Sequence, residues 1–110
     1  MRGVGAMDDD YELPEEDVRD NTIFIGNKPF MNYVTSVVIQ FTTKQAPEVF
    51  VKARGKFISR AVDVVEVVRK RFLKDKILIG EIKLNSEEFT NREGKLVRVS
   101  TIDICLKKAS

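Results

Sequence analysis

Apolar and polar residues alternate along the chain with two different periods, one typical of strands and one typical of helices. Short apolar strands are predicted over residues 22–25 and 48–53. A strand, helix and strand of these lengths favour parallel pairing of the strands through a right-handed crossover. The helix is predicted between them because apolar residues recur there at intervals of three and four: Phe30, Val34, Val37, Val38 and Phe41.

Residues 56–73 carry signals of both a strand and a helix. Their many valines are β-branched and suit a strand, whereas their polar residues mark the solvent stripe of a helix. The helix is the prediction, and its apolar surface is wider than one sheet face requires. It is therefore either deeply buried or partly turned toward another subunit. The polar residues that decide for the helix are Asp63, Glu66, Arg69 and Lys70.

The last third of the chain predicts a long β-hairpin, with strands over residues 76–85 and 95–108 and a turn near residues 91–94. The apolar positions change phase on both strands, around Gly80 and before Ile102, which predicts a bulge or a strong twist. The elements together predict an α/β fold, a two-layer βαβαββ sandwich whose hairpin protrudes. Basic residues on the outer hairpin suit a nucleic-acid groove, or simply keep an exposed edge soluble.

Two short basic turns follow the two apolar strands and precede the two helices. They cover residues 25–29 and 52–56, and each combines a glycine with Lys or Arg. Backbone N–H groups at a helix start, together with a basic side chain, bind anions. If the strands are parallel neighbours, both turns lie at one edge of the sheet. Two such sites on one edge suggest a surface that follows a polyanion.

The residue inventory argues against several kinds of chemistry. The chain has no histidine and a single cysteine, Cys105, so the usual zinc ligands and the Cys/His nucleophile pair are missing. The candidate carboxylates form no recognisable motif, and no enzyme activity, metal or cofactor is expected. Cys105 lies in an alternating apolar run and is expected to act as a small buried hydrophobe. No apolar run is long enough to span a bilayer, and no signal-peptide pattern is present, which favours a cytoplasmic protein.

The net charge of +2 conceals a strong division along the chain. Residues 1–20 hold eight acidic residues against two basic ones, a net charge of −6, and residues 21–110 hold seventeen basic residues against nine acidic, a net charge of +8. The prediction is a disordered acidic leader over residues 1–20 and a folded basic domain over residues 21–110. Met7 offers an alternative start.

Four motifs, in order and without large gaps, closely resemble the Alba family of archaeal chromatin proteins. They are FIGNKPFMNYV at residues 24–34, VKARGKFISRAVD at 51–63, RKRFL at 69–73 and RVSTI at 98–102. The resemblance implies a βαβαββ fold similar to the C-terminal domain of a bacterial translation initiation factor. It also implies dimers that bind DNA and RNA with little sequence preference.

The same resemblance implies roles for particular residues. The two turns would meet the sugar-phosphate backbone, and the hairpin would reach toward the minor groove. Binding through phosphates fixes position without reading bases, so affinity should depend on salt and little on sequence. The residues implied in binding are Asn27, Lys28, Tyr33, Arg54, Lys56, Arg92, Lys95 and Arg98. A contact between neighbouring dimers is implied for Arg71, Phe72 and Leu73, although Phe72 could instead fill the core.

Two features depart from the family's usual pattern. The first of two consecutive lysines, a target of reversible acetylation in the family, is replaced by Asn27, so control by acetylation is not carried over. The acidic leader is longer and more acidic than is usual. It either competes with nucleic acid for the basic edge or serves only as a solubilising tail.

The function that the sequence predicts is a chromosome-associated protein that coats and compacts double-stranded DNA as homodimers and also binds RNA. Mixed dimers with a paralogue remain open. A mainly RNA-directed role is the first alternative, as a ribonucleoprotein subunit or an RNA chaperone. An enzyme or binding module for one small phosphate ligand is the second, and an adaptor that recruits a protein through the leader is a third.

Overall fold

The computed structural model describes residues 21–109, and the predicted acidic leader lies outside this range. Within residues 21–109, two helices and four strands form in the predicted order, and short 3-10 and π-helical turns flank the second helix. The elements are β1 (Thr22–Phe24), α1 (Phe30–Thr42), β2 (Glu48–Arg54), a 3-10 turn (Gly55–Phe57), α2 (Ile58–Val67), a π-helical turn (Val68–Phe72), β3 (Ile77–Thr90) and β4 (Leu96–Lys108).

The four strands form one sheet in the order β1-β2-β4-β3. The pair β1 and β2 is parallel, as predicted, with Ile23 opposite Val51. The other two pairs are antiparallel, and Ala53 lies opposite Ile102 in the β2 and β4 pair. The predicted two-layer α/β architecture is therefore confirmed.

One face of the sheet packs against both helices and forms the core. Val49 and Val51 of β2 and Leu106 of β4 are fully buried there, because alternate residues of a strand point to the same face. Val34 and Val37 of α1 pack against the same cluster. The wide apolar surface of α2 is divided between buried and exposed positions. The helix buries Ala61, Val64 and Val65, but Val62 is 42% exposed.

The turn after α2 determines which of its last side chains face solvent. The N–H of Leu73 donates to the carbonyl of Val68 at 2.8 Å, the five-residue spacing of a π-helical turn. Leu73 is buried in the core, whereas Phe72 is 49% exposed. The interpretation of Phe72 as a core residue is therefore wrong.

The hairpin has the predicted bulge but is longer than predicted. Pairing shifts between Ile79 and Ile82, so that Gly80 and Glu81 lie opposite Cys105. On the outgoing side the strand continues to Thr90 rather than ending at Asn85. The predicted strand ended too early because residues 86–90 are mostly polar. Backbone pairing with β4 holds these residues in the strand.

The register places both basic turns and the outer hairpin at the same end of the sheet. Strands β1 and β2 end together, since the N–H of Ile25 donates to the carbonyl of Lys52 at 2.9 Å. The last residue of β2, Arg54, lies opposite Thr101, so residues 86–100 project beyond the end of β2. We call the two turns, residues 25–29 and 52–56, the turn edge, and residues 86–100 the arm. Within residues 21–109, no helix is long and apolar enough to cross a membrane.

Candidate nucleic-acid interface

The first turn is held in place by the hydroxyl group of Tyr33. This oxygen accepts hydrogen bonds from the backbone N–H groups of Gly26, at 3.0 Å, and Lys28, at 2.9 Å. These two N–H groups of the turn are therefore bonded within the protein and are not free to bind an anion. Tyr33 itself is 7% exposed. Its geometry is that of a residue that shapes the turn, which leaves Asn27 and Lys28 exposed on its outside.

Arg60, a residue that the sequence analysis did not single out, ties the first turn to α2. Its guanidinium donates to the carbonyl of Gly26. The central carbon of this guanidinium, Cζ, lies 5.6 Å from the centre of the Tyr33 ring and 6.0 Å from the centre of the Phe30 ring. Both distances are within the range of cation–π attraction. Both polar groups of Gly26 are thus bonded, and the two turns are joined through α2. Arg60 and Gly26 lie 34 residues apart, and only the folded sheet brings them together.

The second turn requires its glycine. Gly55 has a φ of 59°, and a Cβ there would lie 3.2 Å from the Cγ2 atom of Val99 at the base of the arm. A side chain would be strained both by the backbone conformation and by this contact. The Lys56 ammonium is exposed and lies 5.3 Å from the centre of the Phe57 ring.

Arg54 lies beside the turn, but its charge is already shared. Its Nη2 atom forms a 3.0 Å ion pair with Oε1 of Glu87 on β3. Glu87 is another residue that sequence analysis missed, because the pairing of β3 with β4 beyond Asn85 was not predicted. A phosphate at this position would compete with the Glu87 carboxylate for the Arg54 guanidinium.

The arm ends in a compact turn with basic residues. The Asn91 side-chain oxygen accepts hydrogen bonds from the N–H groups of Glu93 and Lys95, at 2.9 and 3.0 Å. Arg92 and Lys95 are exposed beside it. Arg98 crosses the hairpin to Glu88, with a 2.8 Å ion pair and a side chain that is 70% exposed. The side chains of Arg92 and Lys95 are thus available to a partner. Arg98 is paired with the Glu88 carboxylate.

The structure brings most of the predicted site residues to one side of the molecule. Asn27, Lys28, Arg54 and Lys56 lie at the turn edge, and Arg92, Lys95 and Arg98 lie on the arm. The predicted contact residues Arg71, Phe72 and Leu73 follow α2 at the opposite end of the sheet. Since Leu73 is buried, a contact between dimers would rest on Arg71 and Phe72.

Cys105 is buried, as expected, and is a poor nucleophile. Burial raises the pKa of its thiol, and the nearby Glu48 carboxylate raises it further. Sγ lies 3.7 Å from Oε1 of Glu48. Both effects disfavour the thiolate, the form that reacts with electrophiles.

Tyr33→Phe is expected to loosen the first turn without unfolding the protein. The change removes the acceptor for two backbone N–H groups, at a cost of about 1–3 kcal/mol in the free energy of unfolding. Thermal unfolding measures that loss, and amide hydrogen exchange should speed up at Gly26 and Lys28. Ser36→Ala is the matched control, because it removes a hydroxyl from the exposed side of α1. Unchanged exchange at both amides in Tyr33→Phe would contradict the assigned role.

A βαβαββ chain with two basic turns at one sheet edge and a projecting basic arm defines a recognisable class of small α/β protein. The Alba family model matches residues 21–86. The DNA/RNA-binding protein Alba of Methanococcus maripaludis is 52% identical over 89 residues, which covers 81% of this chain and 99% of that one. The protein of the same name from Methanocella arvoryzae is 53% identical over 81% of this chain and 91% of its own.

The solved structures agree with the sequence comparison. Alba from Thermoplasma volcanium superposes with a TM-score of 0.72 at 45% identity, covering 79% of this chain and 99% of that one. The chain belongs to the Alba family.

Proposed function

We propose that the protein binds nucleic acids through the turn edge and the arm, and that as a dimer it coats and compacts duplex DNA without reading its sequence. The observation that carries the proposal is that two turns and a hairpin with exposed basic groups lie at the same end of the sheet. Its relatives from Methanococcus maripaludis and Methanocella arvoryzae are named DNA/RNA-binding proteins, which supports the same partner class here.

The chemistry of the turn edge suits phosphates rather than bases. Lys28 and Lys56 are exposed point charges on backbones held by Tyr33, Arg60 and Gly55. Such contacts position a protein on a backbone and carry no sequence information. The arm, with Arg92 and Lys95 at its tip, adds charge where it can follow a groove.

A dimer is supported by apolar side chains that the single chain leaves exposed. Leu84 and Ile82 of β3 are 75% and 49% exposed. They lie opposite Ile102 and Ile104, core-facing residues of β4, so they extend the core face past the helices. Exposed apolar surface that continues a core face is typical of a subunit interface.

RNA is a second partner under the same proposal, since phosphates of either polymer meet the same lysines. Binding of a random-sequence DNA duplex and of an RNA of equal length, measured over a salt series, tests it. Each phosphate neutralised on duplex DNA should contribute about −0.9 to the slope of log affinity against log salt. The expected result is a slope that corresponds to several neutralised phosphates and is equal for duplexes of unrelated sequence. Weak binding that salt does not change would overturn the proposal.

Phe72→Ala is expected to leave each dimer folded and able to bind, but to reduce cooperative coating of DNA. The Phe72 ring is 49% exposed on the π-helical turn after α2, where it can meet a neighbouring dimer. Cooperativity is read from the steepness of binding to a long duplex.

Met31→Ala is the matched control for Phe72→Ala, because Met31 is 48% exposed on α1. Equal cooperativity in both variants and the unaltered protein would remove Phe72 from the contact. The association of the protein with the chromosome in the cytoplasm follows from this proposal.

A further inference from the structure

The end of the molecule opposite the turn edge carries a second group of basic side chains that the proposed interface does not use. All six are exposed, and no ion pair among residues 21–109 includes any of them. Lys108 donates from Nζ to Oε1 of Gln45 at 3.1 Å. We call this group the lysine end: Lys44, Arg71, Lys74, Lys76, Lys107 and Lys108.

A cavity of about 360 Å³ opens at the lysine end. Phe41, Leu73 and Ile77 supply apolar lining, and Lys76 and Lys108 supply basic groups. One acidic residue, Asp75, also lines it. This combination fits an apolar or aromatic side chain that is flanked by carboxylates.

We propose that the acidic leader of the same chain docks here, with the Tyr11 ring in the cavity and its neighbouring carboxylates on the lysine end. Tyr11 lies between three aspartates and Glu12, and residues 1–20 carry a net charge of −6. The leader thus supplies the aromatic ring that suits the cavity and the carboxylates that suit the surrounding basic groups. The docking needs no nucleic acid and stands independently of the proposed function.

The leader joins the folded domain at this same end. The carbonyl of Asn21 accepts from the N–H of Phe50 at 2.9 Å, and its side chain donates to the carbonyl of Glu48 at 3.2 Å. At the same end of the sheet, the N–H of Lys108 donates to the carbonyl of Pro47 at 3.0 Å. Asn21, to which the leader is joined, therefore lies beside the lysine end, at the far end of β1 and β2 from the turn edge.

The length of the leader is sufficient for this docking. Tyr11 lies ten positions before Asn21, and a chain of ten residues spans up to about 33–36 Å when extended. The sheet from β1 to β3 is three strand spacings wide, about 14 Å. A short tether also gives an effective concentration of about millimolar, so that weak contacts are enough to hold the segment.

The docking would neutralise the lysine end and confine nucleic acids to the turn edge and the arm. Opposite charges at one end attract each other, and salt screens that attraction when the charges are exposed. The docked state should therefore weaken as salt rises.

A single tryptophan at position 11 tests the docking directly, because the chain has no other tryptophan. In full-length Tyr11→Trp without nucleic acid, we expect emission shifted to short wavelength and poor quenching by acrylamide at low salt. High salt should reverse both. Adding Lys76→Glu and Lys108→Glu should also reverse both, with circular dichroism confirming that this variant folds.

Adding Lys28→Glu and Lys56→Glu instead, at the turn edge, should leave the emission of Tyr11→Trp unchanged. Loss of protection in this control would place the leader on the turn edge and overturn the proposal. Emission typical of an exposed indole at low salt would overturn it as well. Protection that disappears on dilution would show that the leader of a second copy occupies the cavity, which also contradicts docking within one chain.

Discussion

Replacing Lys28 and Lys56 together by alanine is expected to weaken binding to a random-sequence duplex by about a hundredfold to ten-thousandfold. A hydrogen bond to a charged group contributes about 1.5–3 kcal/mol, and about 1.4 kcal/mol corresponds to a tenfold change in affinity. The slope of log affinity against log salt should fall by about 0.9 for each phosphate that is no longer neutralised. Titration of a labelled duplex at several salt concentrations measures both quantities.

The matched control for this variant is Lys44→Ala with Lys74→Ala. It removes the same charge from exposed lysines at the opposite end of the molecule, so the net charge of the two variants is equal. The control is expected to change affinity much less. Equal losses would show that binding follows the net charge and not the turn edge.

Leu84→Asp is expected to convert the proposed dimer to monomers. Burial of a leucine side chain contributes about 1.5–3 kcal/mol, and in a two-fold symmetric interface each change occurs twice. The dissociation constant of the dimer should therefore rise about a hundredfold to ten-thousandfold, and more if the new carboxylate is buried without a partner. Sedimentation equilibrium measures the constant.

Leu96→Asp is the control for Leu84→Asp, because Leu96 is 69% exposed but lies at the tip of the arm. It should leave the dimer intact. Dissociation by the tip variant alone, with Leu84→Asp still dimeric, would place the interface at the tip instead of near the body. A monomeric unaltered protein would remove the dimer from the account.

Most of the fold was predictable because local periods and turn residues agree with the global topology. The solvent stripe through Glu66 predicted α2 in spite of its β-branched residues, and the phase change around Gly80 predicted the bulge that the strand register shows. Where the pattern was mostly polar, in residues 86–90, prediction failed, since only pairing with β4 holds that segment in a strand.

The basic residues of the candidate site could be predicted from the sequence, but the hydrogen bonds and ion pairs that hold its turns could not. Exposed Lys28 and Lys56 stand out beside glycines in the sequence. The hydrogen bonds that shape the first turn come from Tyr33 and Arg60, and no local rule connects a residue on α2 to Gly26. The pairing of Arg54 with Glu87 likewise depends on a strand register that only the folded sheet defines.

The most direct test of the proposed interface is the amide NMR spectrum of the full-length protein, titrated with a random-sequence duplex. We predict the largest changes at Lys28, Lys56 and residues 91–95, with small changes at Lys44 and Lys74. Changes concentrated at the lysine end, with the turn edge and the tip of the arm unaffected, would contradict the account.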